Sequence, residues 1–240
     1  MSRSDADLAR RAALVTGATG NLGRAVVRML AARGAHVAMP VRDAAKAEAV
    51  RASLAEEDRA RVLSGVVDPL AQPDMDAFVD RVLREWGRVD ILVSCAGRFA
   101  LGPATDLALA RDLWRANVEV AAVAAAACLR PMRARGYGRI VCVSAASAQK
   151  GSRNGAAYAM TKAALLRWAE SLAAEVKGEG ITVNAVLPST IDDPANRAAM
   201  PRTDPRVWAS PDEVTAAILF LCSLEASGIT GAAVPVAGRT

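Results

Sequence analysis

Tyr158 and Lys162 are the pair whose residue types and spacing best suit chemistry. They lie four positions apart in a stretch with helical spacing, so both side chains share one helix face. A phenol can give a proton to a carbonyl oxygen that is being reduced, but its usual pKa near 10 makes it a poor partner at neutral pH. A lysine charge about 5 Å away contributes on the order of 3 kcal/mol at an effective dielectric near 20. We therefore expect Lys162 to lower the pKa of Tyr158.

A glycine-rich turn, TGATGNLG at residues 16–23, lies between the first predicted strand and the first predicted helix. Glycines let the backbone approach a pyrophosphate, and a helix N-terminus presents unpaired N–H groups and a positive dipole end. In an alternating α/β chain this placement predicts a dinucleotide-binding turn, the alternative being an ordinary tight turn. The expected contacts with the dinucleotide are Gly17, Thr19, Gly20, Asn21, Leu22 and Gly23.

Short apolar runs alternate with helical patterns along all 240 residues. Continuously apolar runs are typical of parallel strands that are buried on both faces. The repeated β-α-β pattern predicts an α/β fold, a single doubly wound parallel sheet of Rossmann type with about seven strands and helices on both faces, in one domain over residues 1–240. The predicted strands are Ala12–Thr16, Ala35–Val41, Val62–Val67, Val89–Ser94, Arg139–Val143, Thr182–Leu187 and Ala232–Val236. The predicted helices are Leu22–Arg33, Ala44–Glu57, Asp74–Trp86, Asp106–Arg135, Ala156–Lys177 and Pro211–Leu224.

Two proline features qualify this pattern. Pro40 disfavours a central strand, so we place it at the last rung of the second strand's ladder. The proline-rich stretch 188–209 is the one long irregular segment. Long loops in small domains are usually functional, so we predict that it is a substrate loop.

Charge and composition disfavour several classes of function. The net charge of +5 is spread along the chain without a basic cluster, so no nucleic-acid partner is expected. No signal-peptide core precedes the first strand, and the most apolar stretch, Val118–Leu129, is too short to span a bilayer. The single histidine, His36, lies in a predicted strand, which disfavours a Ser-His-Asp triad or a histidine-rich metal site, so no metal is expected. The distant cysteines Cys95, Cys128, Cys142 and Cys222 indicate a reducing, cytoplasmic compartment.

The YxxxK motif after TGxxxGxG resembles the signature of the short-chain dehydrogenase/reductase family, over about residues 12–238. Asn21 replaces the middle glycine of the turn, but asparagine tolerates the left-handed backbone, so we expect the turn to form. The resemblance implies an NAD(P)H-dependent oxidoreductase that transfers hydride between nicotinamide and a small carbonyl, alcohol or ring-imine substrate. Tyr158 would be its acid–base group, Lys162 would also hold the nicotinamide ribose, and Asn117 would support a proton relay to the lysine.

The same resemblance assigns further cofactor contacts, namely Asp68 at the adenine, Ala96 and Gly97 after the fourth strand, and Pro188 and Ile191 in the loop. Asp193 would repel the pyrophosphate unless it turns outward or pairs with Arg197. The apolar helix around Val118–Leu129 would pair between subunits, giving a homodimer or homotetramer.

The preferred dinucleotide is decided at the end of the second strand, where an acidic residue would accept hydrogen bonds from the ribose 2′-OH. Val41 occupies that position and Arg42 follows it. A guanidinium suits a 2′-phosphate, so we favour NADP(H) over NAD(H). Asp43 leaves NAD(H) open, because it could pair with Arg42 or reach the ribose itself.

The family's catalytic serine, thirteen residues before the tyrosine, is here Ala145. Ser144 should face away from the site, and Ser147 could reach it only if the loop folds back. Dihydropteridine reductases also lack this serine, and the D-x-P-x-N-R-x-x-M-P…W pattern of the loop resembles theirs. With them the sequence shares an aromatic residue after Ala96-Gly97, so Phe99, Ala145 and Trp208 are the expected substrate contacts. The alternatives are a quinonoid dihydropteridine reductase, or a weakened dinucleotide sensor or scaffold.

Overall fold

Seven strands form one fully parallel sheet in the order β3-β2-β1-β4-β5-β6-β7. The structure is a computed structural model and describes residues 8–239. It confirms the predicted doubly wound parallel sheet. The strands are β1 (Ala12–Thr16), β2 (His36–Val41), β3 (Val62–Val66), β4 (Ile91–Ser94), β5 (Gly138–Val143), β6 (Ile181–Pro188) and β7 (Ala233–Val236).

Nine α-helices are found in the described part of the chain. They are α1 (Asn21–Ala32), α2 (Ala44–Ala52), α3 (Glu56–Arg59), α4 (Gln72–Trp86), α5 (Leu107–Trp114), α6 (Val120–Arg135), α7 (Ala156–Glu175), α8 (Pro194–Ala199) and α9 (Pro211–Cys222). Two short 3₁₀ helices, Ala146–Ala148 and Pro205–Val207, lie in the connections.

Helices cover both faces of the sheet. Alternate strand residues such as Leu14 and Ile140 pack with α4, α6 and α7 on one face. Their neighbours, such as Val15 and Val141, pack with α1, α2 and α9 on the other. Burial on both faces explains why the strands are continuously apolar in sequence.

Several sequence expectations change in detail. The predicted helix Ala44–Glu57 is divided into α2 and α3, and segment 188–209, expected to be irregular, contains α8 and a 3₁₀ helix. Pro40 lies in an interior strand, beyond the last β1–β2 pair at Ala38, but it still pairs with Gly65 of β3 one position before the end of that ladder, so it is not at the last rung. The predicted helix Asp106–Arg135 was wrong as one regular element. It is divided into α5 and α6 by a π-helical turn, Arg115–Glu119.

The carboxyl ends of the strands define where a ligand would bind. The strand order reverses between β1 and β4, because β2 and β3 lie on one side of this pair and β5 to β7 on the other. Ligands of open α/β sheets bind in the crevice at such a switch point. The glycine turn after β1 and Ala96-Gly97 after β4 flank this crevice.

Candidate active site

The glycine turn is packed so closely that side chains are excluded. Gly17 has φ of +65°, and a Cβ placed on it would lie 2.7 Å from the Ala96 amide nitrogen. A Cβ on Gly23 would collide with the Gly17 carbonyl oxygen. The first amide of α1 to pair with the preceding turn is that of Arg24, which donates to the Gly20 carbonyl at 2.9 Å.

Three backbone amides at the start of α1 are therefore available to a ligand. Among residues 8–239, no acceptor is found for the N–H groups of Asn21, Leu22 and Gly23. Helix N-terminal amides with no intrahelical partner, combined with the positive dipole end, suit a pyrophosphate. Gly17 and Gly23 let the turn pack this closely, and the amides that it presents therefore fit the pyrophosphate of a dinucleotide.

Asn21 lies in this turn, and the turn forms as expected. The left-handed backbone that we considered for it is not used, because Asn21 begins α1 and has no positive φ. Its side chain instead donates a hydrogen bond from Nδ2 to the Asp192 carbonyl at 3.0 Å. Asn21 thus connects the turn to segment 188–209.

Two charged residues, Arg42 and Asp43, directly follow β2 and have different roles. Asp43 is the N-cap of α2, and its Oδ1 accepts hydrogen bonds from the amides of Ala45 at 2.9 Å and Lys46 at 3.2 Å. Arg42 is exposed and pairs with no acid among the described residues. The carboxylate of Asp43 therefore stabilises the helix, and the guanidinium of Arg42 is available to a ligand.

Asp68 closes the β3 connection and is exposed. Its Oδ1 accepts a hydrogen bond from the Leu70 amide at 3.0 Å, so the carboxylate stabilises the local turn. The adenine contact that the resemblance assigns to Asp68 stays a prediction.

Asn117 is positioned by the π-helical turn, where a helix carries one extra residue. The side chain is fully buried, and Oδ1 accepts from the Arg98 amide at 2.8 Å. Nδ2 donates to the Arg98 carbonyl and to Thr161 Oγ1, each at 3.1 Å. Asn117 therefore fixes both the backbone after Gly97 and the helix that carries Tyr158.

Lys162 converges on the same place from α7. Its side chain is buried, and Nζ donates to the Val143 carbonyl at 2.9 Å. A Cβ placed on Gly97 would lie 2.8 Å from Asn117 Oδ1 and 3.3 Å from Lys162 Nζ. The glycine thus gives these two side chains room beneath the backbone that would pass the cofactor.

Tyr158 lies over Lys162, whose Nζ is 5.8 Å from the centre of the phenol ring. Burial raises the pKa of Tyr158 to about 12, and burial lowers the pKa of Lys162 to about 8. This shift is opposite to the lowering that we expected, because its cause is burial of the phenol and no opposing effect of Lys162 accompanies it. At neutral pH the phenol keeps its proton.

The position of the missing serine is filled as the sequence indicates. Ala145 has an extended backbone at the end of β5. Ser144 is buried and its Oγ donates to the Lys162 carbonyl of α7 at 2.8 Å, so this hydroxyl is engaged by the backbone, and the expectation that it faces away from the site stays a prediction. The chain does turn back after Ala145, but Ser147 Oγ is buried and finds no hydrogen-bond partner within residues 8–239.

Phe99 and Trp208 differ sharply in exposure. Phe99 is 61% exposed and meets Tyr158 edge to face, with ring centroids 4.9 Å apart. Trp208 is only 4% exposed, so in this conformation it offers little surface to a substrate and packs against the protein instead.

Segment 188–209 begins at Pro188, the last residue of β6. Ile191 forms a parallel bridge with Ala209, which joins the two ends of the segment. Asp193 caps α8 by accepting from the Ala195 amide at 2.7 Å. The suggested pair of Asp193 with Arg197 was wrong, because Arg197 makes a two-bond contact with Asp192 at 2.6 Å.

Three contributors to the site carry no sequence signal that we recognised. The Thr16 hydroxyl accepts from the Ala96 amide at 3.3 Å and ties the ends of β1 and β4 together. Thr161 binds Asn117, and the Val143 carbonyl binds Lys162. The spacing of Thr161 from Tyr158, three residues on one helix, is the only pattern that could have indicated one of them.

Among the other titratable groups, Cys95 and Cys142 lie near enough to Lys162 to interact with it electrostatically, whereas His36 lies away from the site. His36 stacks on Trp86 with ring centroids 4.9 Å apart, and burial lowers its pKa. Burial also raises the pKa of all four cysteine thiols to about 12.

Within residues 8–239 there is no group of three or more His, Cys, Asp or Glu suited to a metal ion. No helix in that range is long and apolar enough to cross a membrane.

The sequence and the fold both match known proteins. The profile of the short chain dehydrogenase family matches residues 11–204. The chain is 35% identical to cis-4-hydroxycyclohexanecarboxylate dehydrogenase of Sinomonas cyclohexanicum, covering 96% of each protein. It is 32% identical to 3-oxoacyl-[acyl-carrier-protein] reductase FabG of Escherichia coli K12, covering 94% of this chain and 95% of that protein. The crystal structure of NAD⁺-bound xylitol dehydrogenase superposes with a TM-score of 0.85 at 27% identity, over 96% of this chain and 99% of that one.

Proposed function

The chain belongs to the short-chain dehydrogenase family, and from that premise we propose that Tyr158 is its acid–base group in hydride transfer between nicotinamide and a small carbonyl or alcohol. The observation that carries the proposal is the convergence of Tyr158, Lys162 and Asn117 beside Gly97. A bound nicotinamide dinucleotide would supply or accept the hydride. Proton transfer, binding of the ribose and positioning of the site are assigned to side chains of this protein.

The phenol of Tyr158 is the proton donor in the reductive direction. Its pKa of about 12 keeps it protonated at neutral pH, so the proton is present, but an acid this weak donates slowly unless a nearby positive charge stabilises the phenolate as it forms. Oxidation of an alcohol needs the phenolate, which is scarce under the same conditions.

Lys162 and Asn117 hold the site in its working arrangement. The ammonium of Lys162 can contact ribose hydroxyls while it remains tied to the Val143 carbonyl. Asn117 is engaged at Oδ1 and Nδ2 with the Arg98 backbone, which fixes the segment that follows Gly97. Proton resupply to Tyr158 through Lys162 is part of the proposal.

NADP(H) is the proposed cofactor, with NAD(H) as the alternative. Arg42 is exposed beside the end of β2, and Asp43 is committed to capping α2. The resulting pattern, a free guanidinium with no acidic residue at Val41, suits a 2′-phosphate.

A ring-shaped apolar substrate is favoured by the exposed ring of Phe99 beside Tyr158. A flat ring can pack on Phe99 while its carbonyl oxygen reaches the phenol, and Leu101 adds a second exposed apolar side chain near Phe99 in sequence. The relative that acts on a hydroxycyclohexanecarboxylate is consistent with this class. Ala145 adds no hydroxyl to polarise the carbonyl, so a substrate that is already electron-poor is the better match.

The decisive experiment is a substrate panel. Oxidation of NADPH and of NADH is followed with cyclic ketones, acetoacetyl thioesters, quinones and quinonoid dihydropterin. We expect turnover with NADPH and ring carbonyls, with the electron-poor quinones reduced faster than simple cyclic ketones. Exclusive activity with quinonoid dihydropterin would favour a dihydropteridine reductase, and tight dinucleotide binding without any turnover would favour a sensor or scaffold.

The stretch Val118–Leu129, which we expected to pair between subunits, is mostly buried in the core of its own protomer, so self-association is proposed through the neighbouring helix α5 instead. Leu107 and Trp114 of α5 are 63% and 44% exposed, which leaves apolar surface for a second subunit. We expect a homodimer or homotetramer by light scattering at micromolar concentration. A monomeric mass would contradict this.

A further inference from the structure

The hydrogen bond between Asn21 and Asp192 joins two segments that are 171 residues apart in sequence. Asn21 begins α1 and belongs to the glycine turn at residues 16–23, and Asp192 lies in segment 188–209 directly after Ile191. The bond therefore connects the two parts of the chain that are proposed to enclose the dinucleotide. A glycine, which the family resemblance places at this position, has no side chain that could make it.

The loop side of this contact is itself held in place. The Asp192 amide donates to the Ala209 carbonyl at 2.8 Å, and the Ala209 amide donates to the Thr190 carbonyl at 3.0 Å. Asn196 Nδ2 donates to the Ile191 carbonyl at 2.9 Å. Because these hydrogen bonds connect Asp192 with both ends of the segment, a contact that fixes the Asp192 carbonyl also fixes Ile191 and the two ends of the segment.

The charge of the loop is also arranged for a neighbouring anion. Asp192 and Asp193 would both repel a pyrophosphate if their carboxylates faced it. Arg197 binds Asp192 with two hydrogen bonds and holds the pKa of that carboxyl below its usual range, and Asp193 is used as the cap of α8. The part of Asp192 that faces the turn is its carbonyl, which accepts from the neutral Asn21 amide.

We infer that Asn21 is a positioning residue that holds segment 188–209 against the glycine turn before the dinucleotide binds. The inference rests on the proposed function in that it takes the glycine turn as a dinucleotide site. Preorganised segments bind ligands more tightly because less conformational entropy is lost on binding. Asn21 does not touch the reacting atoms, so it acts on cofactor affinity and not on the chemical step.

The test uses Asn21→Ala and Asn21→Gly, both of which remove the side-chain donor. Arg28→Ala is the matched control, because Arg28 also lies on α1 but contacts Asp212 of α9 instead of the loop. Hydrogen exchange of the ligand-free protein is measured for peptides covering 188–209, and dissociation constants for NADPH and NADH are measured by calorimetry. Steady-state kinetics give KM for the dinucleotide and kcat separately.

Both Asn21 variants should exchange faster in 188–209 and bind the dinucleotides about three- to tenfold more weakly, as expected for one lost hydrogen bond. KM for the dinucleotide should rise by a similar factor while kcat stays within about twofold, and Arg28→Ala should match the wild type. Unchanged exchange would overturn the contact as a constraint on the loop. Faster exchange with unchanged dissociation constants would overturn the positioning role. Failure of the wild type to bind either dinucleotide would reject the proposed function, and the exchange result would still decide whether Asn21 holds the loop.

Discussion

The ring of Phe99 meets the ring of Tyr158 nearly at right angles, with an interplanar angle of 87° and centroids 4.9 Å apart. This edge-to-face contact holds the phenol from the side and leaves most of Phe99 open to solvent. Phe99 therefore has two proposed roles, to orient Tyr158 and to pack against a substrate ring.

Replacing Phe99 with alanine should raise KM for ring substrates about tenfold, because a planar contact surface is lost. Phe99→Tyr keeps the ring and serves as the control, with KM near the wild-type value. The measurement is steady-state kinetics with a cyclic ketone and an open-chain ketone of equal carbon number. An equal loss on both substrates would contradict ring packing and leave only the orienting role.

Replacing Arg42 with alanine should weaken NADPH binding about tenfold or more and leave NADH binding nearly unchanged. The physical reason is the loss of a charge-assisted contact with the 2′-phosphate. Calorimetric titration of both cofactors checks this, and Lys46→Ala, in the first turn of α2 and close to Arg42 in sequence, reports the contribution of general positive charge. Equal weakening of NADPH and NADH would show that Arg42 does not recognise the phosphate.

The buried charge of Lys162 should lower the free energy of unfolding of the protein at neutral pH. Its pKa falls from 10.5 to about 8 on burial, so the folded state binds its proton more weakly than the unfolded state. Such a shift corresponds to about 3 kcal/mol at pH 7, and the penalty disappears as pH rises from 8 to 10.5. Lys162→Met should therefore increase the free energy of unfolding by about 1–2 kcal/mol at pH 7, after the lost bond to the Val143 carbonyl is subtracted.

Urea denaturation at pH 7 and pH 10.5 measures this effect, and the gain should be absent at the higher pH. The same variant should lose turnover. A destabilised Lys162→Met at pH 7 would show that the lysine charge is stabilised by the fold instead of penalised.

Restoring a hydroxyl with Ala145→Ser should increase kcat on ordinary ketones, by up to about a hundredfold for a well-placed donor. Ala145→Cys, close in size but a weak donor, is the control for crowding. No gain on any carbonyl, with the new hydroxyl seen by crystallography within about 3.2 Å of the tyrosine oxygen, would show that the missing donor does not limit the enzyme.

The arrangement of the fold follows closely from the sequence for a physical reason. Parallel strands buried on both faces must be continuously apolar, and β1 begins and ends at the predicted residues Ala12 and Thr16. The pairing of Tyr158 with Lys162 was likewise visible as a helical spacing. Both features are encoded over a few neighbouring positions.

Other features depend on contacts between distant segments. Nothing in the residues near Asn117 indicates a π-helical turn, and nothing near Asn21 indicates that Asp192 is its partner. The pKa of Tyr158 was predicted in the wrong direction, because spacing shows the lysine charge but not how much water the folded protein removes. The burial of Trp208 is similarly set by the packing of the loop.

The most direct test of the account is the turnover of Tyr158→Phe, measured together with its cofactor affinity. The substitution removes one hydroxyl and keeps the ring that contacts Phe99. If Tyr158 transfers the proton, kcat for carbonyl reduction should fall at least about a hundredfold, and the dissociation constants for NADPH and NADH should stay within about twofold. Retention of more than about a tenth of wild-type kcat, with the cofactor bound normally, would contradict the assignment of Tyr158 as the acid–base group.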